Sequence, residues 1–165
     1  MKRRDIVVAL VILVLLVGVI YIRQKNKPQE EMTVPATLSY EEVFEEKFNL
    51  EIPEDADKAD LKEVGGSGGS AIAIRKFDGG KFTQSILADL PDPEQGNFYE
   101  AWLVRGNEGE ENYSLISMGK LMLAKGGWML DFTSQSDLSD HSKVVVSLEK
   151  TSDKQIETKV LEGNF

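Results

Sequence analysis

Hydrophobic positions follow two different patterns along this chain. From Ile6 to Ile22 (IVVALVILVLLVGVIYI) they are unbroken, and from Tyr40 onward they alternate with polar ones. As a helix rising ~1.5 Å per residue, the first run would span roughly 26 Å, enough for the hydrocarbon core of a bilayer. Next comes one short helical signal. Ser39 and Glu42 match a capping box, Leu38 and Val43 a hydrophobic staple, and Tyr40, Val43, Phe44 and Phe48 share a face. Phe48, Leu50 and Ile52 also alternate, so an edge strand ending at Pro53 competes with the helix.

Seven strand patterns follow, over Ala71–Phe77, Lys81–Ala88, Phe98–Arg105, Ser114–Lys125, Trp128–Thr133, Lys143–Leu148 and Gln155–Leu161. Gly79-Gly80 and Gly126-Gly127 mark hairpin turns, and Gly119 marks a bulge or bend within Ser114–Lys125. Lys143–Leu148 is β-branched and expected to be central. No helical period separates the strands, which excludes a βαβ arrangement. The fold class expected is all-β: an antiparallel β-sandwich of about seven strands behind a single N-terminal transmembrane helix. Its core is expected to draw on Ile72, Ile74, Phe82, Ile86, Phe98, Trp102, Val104, Leu121, Leu123, Leu130, Phe132, Val144, Val146 and Leu148.

The apolar run is longer than a signal-peptide core, which spans ~7–15 residues, and no small-x-small pattern ends it. Tyr21 fits the interfacial position of a membrane helix. An uncleaved single-pass anchor is therefore expected, against the competing readings of a cleaved signal or a buried core helix. Lys2, Arg3 and Arg4 nearly balance Arg23, Lys25 and Lys27. The orientation adopted is the commoner one, with a short tail inside and the domain exported through the plasma membrane. The expected organisation is a cytoplasmic tail over 1–5, the membrane helix over 6–22 and a stalk over 23–38 containing Pro28 and Pro35. An extracytoplasmic domain over 39–165 completes it, with its core at 70–165.

Charge narrows the function classes. Residues 28–165 carry 13 basic and 27 acidic groups, a net of −14, and such a body repels nucleic-acid phosphate. Cysteine is absent, which removes disulfides, thiol nucleophiles and thiolate metal sites. Asp55–Asp60 (DADKAD) lacks the glycine and the glutamate that a calcium loop needs at its sixth and twelfth positions and reads as a solvated acidic turn. Gly65–Ser70 lacks the Lys-Ser/Thr pair of a phosphate loop and reads as a connection into the strands.

Candidate chemistry is sparse. The one histidine, His141, is flanked by Asp140 and Ser142, but neighbours in an extended chain point apart, so a surface loop position is expected. Glu100, Glu149 and Glu162 sit in or beside apolar strands. Glu100 shares a strand face with Phe98 and Trp102, where a carboxylate is either a functional group or a paired structural one. Trp102 and Trp128 are either a ligand platform or core residues with their indole N–H groups satisfied. Glu100, Trp102 and Trp128 are thus the interaction candidates. No catalytic, cofactor or metal site is expected.

Four short motifs occur in order: Tyr99–Val104 (YEAWLV), Met118–Leu121 (MGKL), Val144–Glu149 (VVVSLE) and Val160–Gly163 (VLEG). This set, over about 90 residues from Ala71, resembles the extracytoplasmic C-terminal domain of anti-sigma-K factors, the RskA-type family. The resemblance implies a membrane-anchored β-sandwich, with Ser147 standing where the family usually has threonine. It also implies a cytoplasmic helical domain that grips a sigma factor. Met1–Asp5 cannot form that clamp, so direct sigma-factor binding is not expected. The function expected is a non-catalytic, membrane-anchored, anti-sigma-factor-like domain that senses or binds an envelope partner. The alternatives are a scaffolding cell-surface domain and an electron-transfer or hydrolytic one.

Overall fold

The computed structural model describes residues 38–66, 68–124 and 126–165, and residues 38–165 form one compact unit. The apolar run Ile6–Ile22 and nearly all of the stalk lie outside the described residues. Among those residues no helix is long and apolar enough to cross a membrane.

Helix α1 (Tyr40–Phe48) is followed by nine antiparallel strands. These are β1 (Asp57–Glu63), β2 (Ser70–Asp78), β3 (Lys81–Asp89), β4 (Phe98–Arg105), β5 (Ser114–Lys120), β6 (Met122–Ala124), β7 (Gly127–Ser134), β8 (Lys143–Glu149) and β9 (Thr158–Asn164). They form one sheet in the order β5-β4-β8-β9-β1-β2-β3-β7-β6. The all-β antiparallel expectation holds, with nine strands rather than about seven and with β8 inside the sheet as its β-branched sequence predicts.

The sheet nearly closes on itself like a barrel, because β1 and the β5–β6 segment serve both halves. β1 pairs with β2 through Asp57–Leu61 and then with β9 through Lys62–Glu63. Diagonally, β5 pairs with β4 and β6 pairs with β7, although only Leu121 separates β5 from β6. The segment expected as a single strand bent at Gly119 therefore lies along both ends of the strand order. Gly119, at φ +114°, supplies backbone that other residues rarely adopt. Closure leaves few unpaired strand edges, the usual liability of an open sheet.

Two register shifts tune the interior. Opposite Ala101–Trp102 the β5 strand carries Met118 as an extra residue, and opposite Val146–Ser147 the β9 strand carries Val160. Both bulged side chains are buried in the main core. That core takes Ala71, Ala73, Phe82, Ile86, Tyr99, Ala101, Leu103, Leu121, Val144, Val146 and Leu161, with Leu130, Phe132 and Leu148 packed against it.

Several expectations need correcting. Asp57–Asp60 belongs to β1 and not to a solvated turn: Ala59 and Leu61 face the core between charged outward residues, a short period-2 pattern masked by its acidic exterior. β9 begins at Thr158, three residues later than expected, because Gln155–Glu157 belongs to the loop before it. Leu123 is 62 % exposed, since it lies on the three-residue β6 at the end of the strand order. Ile72 and Trp102 are buried as expected, but on the outer faces of their strands. The interior there is lined by Ala71, Ala73, Ala101 and Leu103.

The outer face of β2, β3 and β7 is covered by α1. The capping box is complete: the Glu42 N–H donates to Ser39 Oγ at 3.2 Å and the Ser39 N–H to Glu42 Oε2 at 2.6 Å. Phe44 and Phe48, with ring centroids 5.9 Å apart, pack on Ile52, Ile72 and Leu87. Leu38 and Val43, the predicted staple pair, are both exposed. Lys47 pairs with Asp89 at 2.5 Å and Lys58 with Glu41, holding the helix down from both sides. A nine-residue helix is marginal alone, so this docking is what keeps it folded.

Candidate functional site

The outer face of β5, β4 and β8 gathers most of the polar motif residues. Side chains alternate along a strand, so Glu100 and Trp102 of β4 share that face with Ser117 of β5 and with Ser147 and Glu149 of β8. Of the three interaction candidates, the structure brings Glu100 and Trp102 together here. Trp128 lies elsewhere, its ring edge-on to Tyr99 at 5.4 Å and packed against the main core.

Trp102 is 1 % exposed, and its indole N–H donates to Ser147 Oγ at 2.7 Å. The Ser147 hydroxyl in turn donates to the Glu100 carbonyl at 3.3 Å, stitching β4 to β8 through side chains as well as backbone. Glu100 is 4 % exposed, and its carboxylate accepts from the Ser117 hydroxyl. Glu149 is completely buried; both its carboxylate oxygens accept from the Glu157 N–H at 3.2 Å. The Glu157 carboxylate accepts from the N–H groups of Lys150 and Thr151 at 3.1 and 2.9 Å. The β8–β9 loop is thereby folded onto itself and latched onto Glu149, with Ile156 packed against Trp102, Val104 and Val145.

Burial pushes the Glu149 carboxyl above the ordinary range, and the charges of Glu157 and Glu100 add to the shift. The Ser147 hydroxyl and the Glu157 N–H oppose it without cancelling it. An acid whose pKa rises on folding favours the folded state below its unfolded pKa, and that contribution is lost as pH rises through the folded pKa. Glu149→Gln keeps an acceptor oxygen and removes the charge. It should raise stability relative to the wild type near pH 7.5, by an amount that shrinks toward about pH 4.5. Paired urea unfolding curves at the two pH values measure this, and a difference independent of pH would contradict it.

His141 is not the surface loop residue expected from its polar neighbours, being only 3 % exposed. Its Nδ1 lies 2.6 Å from Asp140 Oδ1 and its Nε2 3.0 Å from Ser114 Oγ, so adjacent side chains do meet where the chain turns between Leu138 and His141. Serine, imidazole and carboxylate thus touch in the order of a catalytic triad. The other Asp140 oxygen is held by Arg105, and the His141 carbonyl accepts from Arg75 Nη1 at 3.1 Å. Arg75 also contacts Asp57 at 3.3 Å and lies over the Phe165 ring at 3.9 Å. With the imidazole enclosed, the arrangement is a clamp joining β2, β4, β5 and the loop before β8, not an open active site.

The expectation that both indole N–H groups are satisfied holds for Trp102 and fails for Trp128, whose buried Nε1 has no partner among the described residues. Gln84 likewise has both amide atoms buried without a partner among the described residues. Among the described residues no three metal-ligating side chains cluster.

Beside the Trp102 network lies a groove of about 500 Å³. Val104, Leu115, Val145 and Ile156 form its apolar floor, and Lys143, Lys154 and Lys159 stand on its rim. No sequence motif announced it. Lys143, opposite Asn164, and Lys159, opposite Ser147, stand toward the two ends of the β8–β9 pair, and the β8–β9 loop adds Lys154 and Ile156.

A closed all-β module whose motif residues are spent on internal hydrogen bonds is built to hold a shape and present a surface. The chain belongs to the family described as "Anti-sigma-K factor rskA, C-terminal", whose model matches residues 6–159. The resemblance read from four motifs is therefore shown, and over a longer span than those motifs cover. Comparison with curated proteins and with solved structures returned no match. The family is regulatory and not catalytic, and the chain is an anti-sigma-factor-like domain, in keeping with the expectation that it is not an enzyme.

Proposed function

We propose that this chain is a single-pass membrane protein whose domain, over residues 39–165, stands outside the plasma membrane and binds or senses an envelope protein partner without catalysis. The observation that carries the reading is the family match, which begins at Ile6, the first residue of the apolar run. A family model that takes in the run together with the β-domain treats the two as one unit. An anti-sigma-factor-like domain acts through a protein partner. The surface available for one is supported from beneath by the Glu100–Ser117 and Trp102–Ser147 contacts. On this reading Ile6–Ile22 is the anchor and residues 23–38 the stalk.

Location and partnership are tested separately. Protease added to intact cells should digest the β-domain and leave the anchor fragment; full protection until lysis would reject the exported orientation. Cross-linking in intact membranes should then join the full chain to a protein that a chain cut back to its anchor and stalk does not reach. An exposed domain that never cross-links to such a protein would reject the binding reading.

A further inference from the structure

The groove beside Trp102 carries charge of the wrong sign for the surface around it. Residues 28–165 have 27 acidic and 13 basic groups, yet Lys143, Lys154 and Lys159 converge on this one rim. Elsewhere the cationic side chains are mostly engaged: Lys47, Lys58, Arg75, Lys76 and Arg105 pair with carboxylates, and Lys120 sits over the Phe98 ring at 3.5 Å. Among the described residues Lys143 and Lys154 make no ion pair, and Lys159 reaches Glu162 only at 4.0 Å. The acidic members of the lining, Glu108 and Glu157, offset two of the three lysine charges and leave the groove one net positive charge, against −14 for residues 28–165 as a whole. Beneath the lysines, Val104, Leu115, Val145 and Ile156 offer apolar surface, and Tyr113 also lines the groove. Cations around an apolar floor complement an occupant with the inverse layout, an apolar side chain flanked by carboxylates.

We infer that this groove is the docking site for an acidic peptide segment of a partner protein, which seats one apolar side chain on Val104, Leu115, Val145 and Ile156 and its flanking carboxylates on Lys143, Lys154 and Lys159. The inference rests on the reading of the chain as a module that acts through a protein partner, and it names the surface and the chemistry of that contact. The latch between Glu149 and the Glu157 N–H gives the site its shape, since it fixes the loop that contributes Lys154 and Ile156.

The test uses the full chain in detergent micelles with three dye-labelled, capped pentapeptides. One has a leucine between two pairs of glutamates, one has lysines in place of the glutamates, and one has glycine in place of the leucine. Fluorescence anisotropy should show saturable binding of the acidic leucine peptide alone, weakening as salt screens the lysines. The double variant K143E/K154E should lose binding at least tenfold, while Lys81→Glu, on the β2–β3 hairpin, should bind as the wild type does. Lys154→Glu alone, in an exposed loop, should weaken binding severalfold and guards against misfolding of the double variant. Equal binding of the lysine peptide overturns the proposal, as do unchanged affinity in the variants and binding to phosphatidylglycerol vesicles in place of the peptide. If the cross-linked partner persists undiminished in K143E/K154E, the groove assignment fails and the partner reading survives; if the wild type has no such partner, the broader reading fails.

Discussion

Gly163→Ala is expected to destabilise the domain by about 3 kcal/mol, a large part of the roughly 5–15 kcal/mol that holds a typical domain folded. Gly163 pairs with Val144 at the corner where β1 crosses from β2 to β9. A β-carbon there would lie 2.4 Å from the Asp60 carbonyl oxygen, 3.0 Å from its carbon and 3.2 Å from the Leu61 α-carbon. All three are backbone atoms of a strand paired on both sides, so no rotamer change relieves the contact. Relief requires β1 to move away, which breaks the Lys62–Glu162 and Glu63–Leu161 pairing and exposes Leu61. Urea unfolding followed by circular dichroism should show a lower midpoint or an unfolded chain, and a midpoint equal to the wild type's would refute the close-approach explanation. Gly163 closes the last of the four family-like motifs, and Gly119, in the second, makes the bend at the other corner. The two motif glycines are where the sheet turns.

Trp102→Ala should cost about 4 kcal/mol, since it empties a fully enclosed aromatic site on the outer face of β4. It also strips Ser147 of its donor and removes the support beneath Val145 and Ile156. Trp102→Phe separates these effects: it keeps most of the packing, loses only the indole N–H and should cost about 1–2 kcal/mol. Combining Trp102→Phe with Ser147→Ala should cost less than the two single changes added, because they share one hydrogen bond. Strict additivity in the unfolding midpoints would show that the bond contributes nothing. A platform tryptophan that contacted ligand through an exposed face would instead be replaceable at little cost to folding. The large penalty expected here follows from a ring that solvent barely touches.

Much of the architecture was legible because strand alternation is a local property. Phe98–Arg105 was bounded as it stands, the Gly79-Gly80 hairpin forms where expected, and the Ser39–Glu42 capping box starts α1. The second hairpin turns one residue earlier than Gly126-Gly127, because Gly127 already pairs with Ala124. The alternation also placed Glu100 and Trp102 on one face. It could not say which face is the interior when both are covered. In β2 the bulky Ile72 and Ile74 pack toward α1 while Ala71 and Ala73 line the main core, the reverse of what side-chain size suggests. β1 was missed because its two core residues are a short signal among acids and lysines. The burial of His141 was missed because its enclosure comes from Ser114, Arg75 and the turn at Asp140, residues far apart in sequence or oriented by a loop.

By itself, then, the sequence determined the all-β antiparallel class, the order of most strands, the helix cap and the family. Each of these depends on residue spacing within about ten positions or on an ordered set of short motifs. Only the tertiary structure decided that β1 and β5–β6 join the two halves into a nearly closed sheet, and that Trp102, Ser147 and Glu100 form one buried network. It also decided that Lys143, Lys154 and Lys159 surround an apolar groove. The physical reason is that these features depend on which strands become neighbours. That pairing follows from burying both faces of the strands at once and not from any stretch of chain read alone.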